Sequence, residues 1–272
     1  MPSPSFAINH ITAPGLGVPA LLALARALGL DAVEIRNDLP GVPLQDGTPP
    51  ARIAAAAQAA GIAILSINAL QRFEDWNDAR AAEAVQLAEA ARACGARALV
   101  LVPTNSHDDK RTPAERADGL RRALSALKPI LATRGLAGLV EPLGFVECAL
   151  RRKRTAVDAI DAIGGAEVFS VVHDTFHHYL AGETETFPTR TGLVHISGVE
   201  DASRPREAIR DAHRVLVGPA DLMDNVGQMR ALLRAGYAGP FSFEPFAESV
   251  HRLPDIRAAL ADSMAFIRAG LA

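Results

Sequence analysis

Residues 96–142, which read ARALVLVPTNSHDDKRTPAERADGLRRALSALKPILATRGLAGLVEP, contain the pattern that decides the fold. The apolar run ARALVLV (96–102) leads into a segment of helical period, PAERADGLRRALSALKPILATRG (113–135), and then into a second apolar run, LAGLVE (136–141). Nearly continuous apolar runs of this length are typical of parallel strands that are buried on both faces. The stretch therefore predicts a strand, a helix and a second strand parallel to the first.

The same alternation continues from one end of the chain to the other. Eight apolar runs predict strands: SFAIN (5–9), DAVEI (31–35), IAILSI (62–67), ARALVLV (96–102), LAGLVE (136–141), VFSVVHD (168–174), GLVHIS (192–197) and PFSFE (240–244). Helical segments follow these runs, several with Pro or Asp at the start and Gly just past the end, and only the connection after the sixth run is less clear. The pattern predicts an α/β fold, a (β/α)8 TIM barrel.

A doubly wound open sheet is the alternative architecture. Such a sheet would more naturally carry a Gly-rich phosphate-binding loop after its first strand, and the segment NHITAPGLGVP (9–19) lacks the G-x-G-x-x-G pattern. No linker of low complexity interrupts the chain. We therefore expect residues 1–272 to form a single barrel domain.

The composition is that of an ordinary globular protein, with 49% hydrophobic residues, 22% charged residues and a formal net charge of −3. This charge disfavours a nucleic-acid partner, because binding a nucleic-acid backbone requires many Lys and Arg contacts. No apolar run approaches the roughly 18 residues of a membrane span, and the start MPSPSFAINH lacks the pattern of a secretory signal. We expect a cytoplasmic protein with no membrane partner. Homo-oligomerisation stays open, and the basic run RRKRT (151–155) is interpreted as a solvated face.

Four residues with metal-binding side chains lie at the ends of four successive predicted strands. The fifth run ends in Glu141, the sixth ends in Asp174, the seventh carries His195 and the eighth ends in Glu244. Active sites of (β/α)8 barrels lie at the carboxyl ends of the strands. Each residue alone has an ordinary structural explanation, such as a helix cap or a core histidine. Their succession at four strand ends favours one shared site.

Three carboxylates that converge in a partly desolvated site repel one another, and the usual remedies are protonation or a bound cation. A divalent metal ion is the simpler remedy. Ligands rich in oxygen, with one nitrogen and no thiolate, suit Mn²⁺, Mg²⁺ or Co²⁺, with Zn²⁺ as a further candidate. The sequence does not choose among these ions.

Four further polar residues are candidates for substrate binding. His177 follows Asp174 by three residues, so a helical turn after the sixth strand would place both side chains on one face. Arg214 could anchor a substrate oxygen with its fixed fork of donors, or it could lie on the surface. Glu34 ends the second strand and Asn68 follows the third, so both could face the pocket or serve as loop hydrogen-bonders.

Several motifs together resemble the xylose-isomerase-like barrel superfamily of sugar isomerases and epimerases, and most closely its inosose (2-keto-myo-inositol) isomerases. These motifs are GLVEP, VVHDTFHHYLAG, VHISGVED, HRVLVGPADL and SFEPF, and the similarity extends over nearly the whole chain. The resemblance implies that a metal ion is held by Glu141, Asp174, His195 and Glu244. It also implies that Glu141 and Glu244 form the acid/base pair, and that His177 and Arg214 contact the substrate.

The implied activity is metal-dependent isomerisation or epimerisation of a keto-sugar or keto-inositol, as in inositol catabolism or other carbohydrate metabolism. An α-hydroxy ketone can rearrange by losing the proton beside its carbonyl to give an enediolate, whose charge a divalent ion stabilises. The substrate is then a small keto-sugar or keto-polyol.

Three alternative functions remain. A metal-dependent lyase of the 3-dehydroshikimate dehydratase type would also begin with proton loss beside a carbonyl. The apurinic endonuclease of the superfamily is a phosphodiesterase that uses three metal ions and many more histidines. A similar activity is disfavoured here, because the chain has only eight histidines and no strongly basic balance. A barrel that binds sugar without turnover would show no metal dependence.

Overall fold

Eight parallel strands pair in sequence order and close into a barrel, with β8 beside β1. The structure, a computed structural model, describes residues 4–39, 41, 44 and 47–272. The closed ring of eight parallel strands confirms the predicted (β/α)8 barrel. Its strands are β1 (Phe6–Asn9), β2 (Ala32–Arg36), β3 (Ala63–Gln71), β4 (Ala98–Val102), β5 (Ala137–Val140), β6 (Phe169–Asp174), β7 (Thr191–Ile196) and β8 (Phe241–Phe243).

Helices alternate with the strands, as the sequence pattern predicts. The described residues form α1 (Val18–Ala27), α2 (Pro50–Ala60), α3 (Asp78–Ala93), α4 (Pro113–Ala132), α5 (Lys153–Ala162), α6 (Thr175–Ala181), α7 (Asn225–Arg234), α8 (Glu248–His251) and α9 (Ile256–Leu271). The N-terminus of α4 has a capping box, in which Thr112 and Glu115 each bond the backbone N–H of the other. Sequence signals of helix ends therefore located most of these helices.

The short helix α6 resolves the connection after the sixth strand. It begins directly after Asp174, whose Oδ1 accepts hydrogen bonds from the backbone N–H groups of Phe176 at 2.7 Å and His177 at 3.1 Å. Asp174 is thus both the last residue of β6 and the N-cap of α6. The helical turn that the spacing of Asp174 and His177 required is present.

The apolar core lies on both faces of the strands. Outward-facing side chains such as Leu99, Phe169 and Phe241 pack against the helices, while Val100 and Val172 belong to a smaller cluster that fills the barrel. This arrangement explains why the strands read as continuous apolar runs. That residues 1–272 form one domain remains a proposal.

The interpretation of RRKRT as a solvated face is wrong for Lys153. This side chain is buried, and its Nζ lies 2.5 Å from Glu183 Oε2 and 2.8 Å from His178 Nδ1. A charge run in a sequence does not reveal that one of its members has a buried partner on another segment.

Within the part of the chain that is described, the helices are too short or too polar to cross a lipid bilayer.

Gly144 allows the loop after β5 to pack closely against α6. A Cβ atom at this position would lie 2.3 Å from the carbonyl oxygen of His177 and 2.7 Å from the Cβ of Leu180. We predict that Gly144→Ala lowers the free energy of unfolding by about 1–3 kcal/mol, because overpacking forces the backbone to shift. Urea unfolding measures this loss. Gly15→Ala is the matched control, since no atom lies within 4 Å of its added Cβ, and equal stability of the two variants would contradict the prediction.

Candidate metal centre

Four successive strands deliver the four predicted ligand residues to one end of the barrel. Glu141 directly follows β5, Asp174 ends β6, His195 is the next-to-last residue of β7 and Glu244 directly follows β8. Asp174 lies opposite His195 in the β6–β7 ladder, and the backbone N–H of Glu244 donates to the carbonyl of Ile196 at 2.9 Å. All four side chains are buried. Strand pairing therefore sets their mutual positions.

The structure brings these four residues into contact. Each offers one ligand atom, and the four atoms all lie within 4.8 Å of one another. Nδ1 of His195 lies 2.8 Å from Glu141 Oε1, 3.3 Å from Glu244 Oε2 and 3.9 Å from Asp174 Oδ2. One nitrogen of the imidazole thus faces all three carboxylates.

The size and chemistry of this group fit a divalent cation. Two ligands on opposite sides of an ion, each at about 2.1 Å, are about 4.2 Å apart, so the observed span requires little adjustment. Three carboxylates and one imidazole match the preferences of Mn²⁺, Mg²⁺, Co²⁺ and Zn²⁺. The charge also fits, because three buried carboxylates face one imidazole nitrogen, and the guanidiniums of Arg36 and Arg214 are shared with Asp38 and Asp211, which leaves an excess of negative charge.

The same excess of negative charge shifts the proton equilibria of the group. Burial alone lowers the pKa of His195, but the carboxylates of Glu244, Glu34 and Glu141 raise it well above its ordinary value. Burial raises the pKa of Glu244 to about 7, against the opposing charges of His195 and Arg214. Protons on these groups reduce the mutual repulsion, and a cation would serve the same purpose by displacing them.

Arg214 is held rigidly beside two of the four residues. Its Nη2 donates to Asp174 Oδ2 at 2.7 Å and to Glu244 Oε2 at 2.8 Å. The guanidinium lies over the rings of Phe176 and Phe246, 4.8 Å from each centroid. Burial would raise the pKa of Asp174, but the charge of Arg214, followed by those of His177 and His195, lowers it well below its ordinary value.

Arg36 is a second buried arginine of this site, and the sequence reasoning missed it. Its Nη1 donates to Glu244 Oε1 at 3.2 Å, its Nε and Nη2 bind the two carboxylate oxygens of Asp38, and its guanidinium lies over Phe246. Glu244 is therefore held by a different arginine at each oxygen. Side chains alternate between the two faces of a strand, so Arg36, two residues after Glu34, lies on the same face of β2. This alternation is the sequence signal that could have identified Arg36.

A cavity of about 780 Å³ opens above the cluster. Glu141, Glu244 and three of the residues predicted to contact substrate line it, namely Asn68, His177 and Arg214. This volume lies within the range of about 300–1,000 Å³ that is typical of small-molecule sites.

Glu34 is not among the described residues that line the cavity, and it is fully buried. Its carboxylate accepts hydrogen bonds from Ser66 Oγ at 2.6 Å and Asn68 Nδ2 at 2.8 Å, and it lies 3.1 Å from His195 Nε2. Burial would raise the pKa of Glu34, but His195 and the hydroxyls of Ser66 and Ser242 lower it to about 2. Its contacts are with protein side chains.

Two buried polar atoms of the cavity wall lack a hydrogen-bond partner among the described residues. They are Oγ1 of Thr104, two residues past the end of β4, and Nδ1 of His177 on α6. Buried polar groups nearly always have a partner, so such atoms mark places where a polar ligand can bind. The sequence reasoning did not select Thr104, because a threonine after a strand is too common to stand out.

Residues 22–270 match the family model described as xylose isomerase-like TIM barrel. The solved structure of a xylose isomerase domain containing protein from Salmonella typhimurium LT2 is 32% identical in sequence to this chain. The match covers 99% of this chain and 96% of that one, with a TM-score of 0.85. No curated protein matches the chain.

More distant solved structures share the fold. The IolI protein with a bound zinc atom is 20% identical, with 98% of this chain and 99% of that chain covered and a TM-score of 0.87. L-ribulose 3-epimerase is also 20% identical, with 98% and 94% covered and a TM-score of 0.75.

We predict that the protein binds one divalent ion per chain at the cluster. We expect Asp174→Asn to lower the affinity for this ion by at least about tenfold, because the loss of a residue that only orients a metal ligand already has an effect of this size. Isothermal titration with Mn²⁺ measures the stoichiometry and the dissociation constant. Asp161→Asn is the control, because it removes an exposed carboxylate that pairs with Arg190. Equal affinities of both variants would contradict this location.

Proposed function

Because this chain belongs to the xylose isomerase-like TIM barrel family, we propose that it is a divalent-metal-dependent isomerase or epimerase of a keto-sugar or keto-inositol. The observation that carries the proposal is the convergence of Glu141, Asp174, His195 and Glu244, of which Glu141 and Glu244 line the cavity. The similar fold of L-ribulose 3-epimerase supports this class of reaction, and the zinc bound to the IolI protein supports the metal ion.

Glu141, Asp174, His195 and Glu244 would hold the ion. When bound, it would supply positive charge that stabilises an enediolate, the anion that an α-hydroxy ketone gives when the carbon beside its carbonyl loses a proton. Which of Mn²⁺, Mg²⁺, Co²⁺ or Zn²⁺ serves in the cell depends on availability as well as on the donor set.

Glu141 and Glu244 are the acid/base pair in this proposal, and their surroundings differ. Among the described residues, His195 is the one hydrogen-bond partner of the Glu141 carboxylate, at Oε1. Glu244 accepts at Oε1 from Asn9 and Arg36 and at Oε2 from Arg214. These donors fix the orientation of Glu244.

The cavity wall supplies the contacts that would orient a polyol. Arg214 is fixed between two aromatic rings and lines the cavity, so it can bind a substrate oxygen at little cost in side-chain entropy. Asn68 and His177 line the same cavity. The unpartnered atoms of Thr104 and His177 would each gain a hydrogen bond from a substrate hydroxyl.

An assay of inososes and keto-sugars in deuterated water tests the proposed function. We expect interconversion of isomers or epimers with deuterium incorporated beside the carbonyl, because proton loss and return occur at that carbon. Turnover should disappear after chelation and return when Mn²⁺ is added. Full turnover by a protein stripped of divalent ions would contradict the proposal. Consumption of 3-dehydroshikimate, with no conversion of any keto-sugar, would instead indicate the dehydratase.

We predict that Thr104→Val raises KM by roughly threefold to tenfold and leaves kcat nearly unchanged. The loss of one hydrogen bond made equally to substrate and transition state costs about 0.5–1.5 kcal/mol of binding. Steady-state kinetics with the best substrate from the assay provide the measurement. Thr155→Val, at an exposed position of α5, is the control and should keep the parental KM. An unchanged KM in the Thr104 variant would argue against its contact with substrate.

A further inference from the structure

Glu34 and His195 form a buried pair whose role neither the cavity nor the acid/base chemistry explains. Both side chains are fully buried. Nε2 of His195 lies 3.1 Å from Oε1 and 3.2 Å from Oε2 of Glu34, so the carboxylate faces this nitrogen with both oxygens. A buried carboxylate placed in this way costs desolvation free energy, which implies a specific use.

The two nitrogens of His195 have different surroundings. Nδ1 faces the carboxylates of Glu141, Asp174 and Glu244, whereas Nε2 faces Glu34 as its one carboxylate among the described residues. A neutral imidazole carries one N–H and one lone pair. If the Nε2–H group donates to Glu34, the lone pair of Nδ1 points at the three carboxylates, where a cation would lie.

Glu34 is itself held in place by neighbouring strands. Ser66 Oγ donates to its Oε2 at 2.6 Å and Asn68 Nδ2 donates to the same oxygen at 2.8 Å, both from β3. Asn9, the last residue of β1, lies 3.4 Å from Oε1. The carboxylate therefore has donors from the strands on both sides of β2, and it presents a fixed acceptor to His195.

We propose that Glu34 is a positioning residue, which orients His195 and keeps its proton on Nε2 so that Nδ1 is the atom that binds the divalent ion. The inference rests on the metal site of the proposed function, but it does not depend on which substrate the protein converts. Carboxylates that bond the far nitrogen of a metal-binding histidine typically raise metal affinity by about tenfold to a hundredfold. Glu34 then acts through His195 and makes no contact with substrate.

Two variants at Glu34 separate the hydrogen bond from the charge. Glu34→Gln removes the charge and keeps an acceptor oxygen, whereas Glu34→Met removes both. We expect the dissociation constant for Mn²⁺, from isothermal titration, to rise about tenfold in Glu34→Gln and about a hundredfold in Glu34→Met. Glu74→Gln is the matched control: this carboxylate is also buried but bonds Arg111 and the backbone of Thr104, and its loss should leave the metal affinity within about twofold.

The tautomer of His195 gives a readout that a purely structural role would not move. In the zinc-loaded protein, ¹⁵N-labelled histidine should show His195 protonated at Nε2, with slow proton exchange, and metal-bound at Nδ1. This measurement uses the unmodified protein, so it tests the assigned tautomer even if Glu34→Met does not fold. A proton on Nδ1 would overturn the proposal.

The outcomes also separate this inference from the proposed function. If the parental protein binds Mn²⁺ and both Glu34 variants bind it equally well, only the role of Glu34 is refuted. If the variants lose affinity in the expected order and no keto-sugar is converted, the role of Glu34 stands and the proposed reaction fails. If the parental protein binds no divalent ion, both are refuted.

Discussion

The mutual repulsion of buried carboxylates is the constraint on which the site depends. Glu34, Glu141, Asp174 and Glu244 are all withdrawn from water at one end of the barrel. Such charges persist in a protein interior only with partners, protons or a bound cation. The described partners are Arg36, Arg214 and His195, and they balance the charge only if protons remain on the cluster. The site is therefore suited to exchanging protons for a divalent ion.

The barrel supplies this arrangement through strand register. Asp174, His195 and Ser242 lie side by side across β6, β7 and β8, and Glu244 follows Ser242 by two residues. A small shift of strand register would therefore separate Asp174, His195 and Glu244. Around it, Phe176 and Phe246 fix Arg214, and the two arginines fix Glu244. A rigid surround of this kind costs little reorganisation when charge develops on a bound substrate.

The sequence was sufficient for the fold and for the four clustered residues, because both depend on local signals. Apolar runs with helical segments between them define the strands, and the four ligand-type residues lie at or near the ends of these runs, where they can be read directly from the sequence. Arg36 was not found, because its place in the site depends on Glu244, which is 208 residues away, and on Phe246. The burial of Lys153 was missed for the same reason, since Glu183 is not adjacent in sequence. The buried position of Glu34 follows from its neighbours on β1 and β3 and cannot be read from β2 alone.

Anomalous diffraction from a crystal grown with Mn²⁺ tests the central claim most directly. The account predicts one anomalous peak about 2.2 Å from a side-chain atom of each of Glu141, Asp174, His195 and Glu244. A crystal with Mn²⁺ bound elsewhere, and with these four side chains turned away from a common centre, would contradict it.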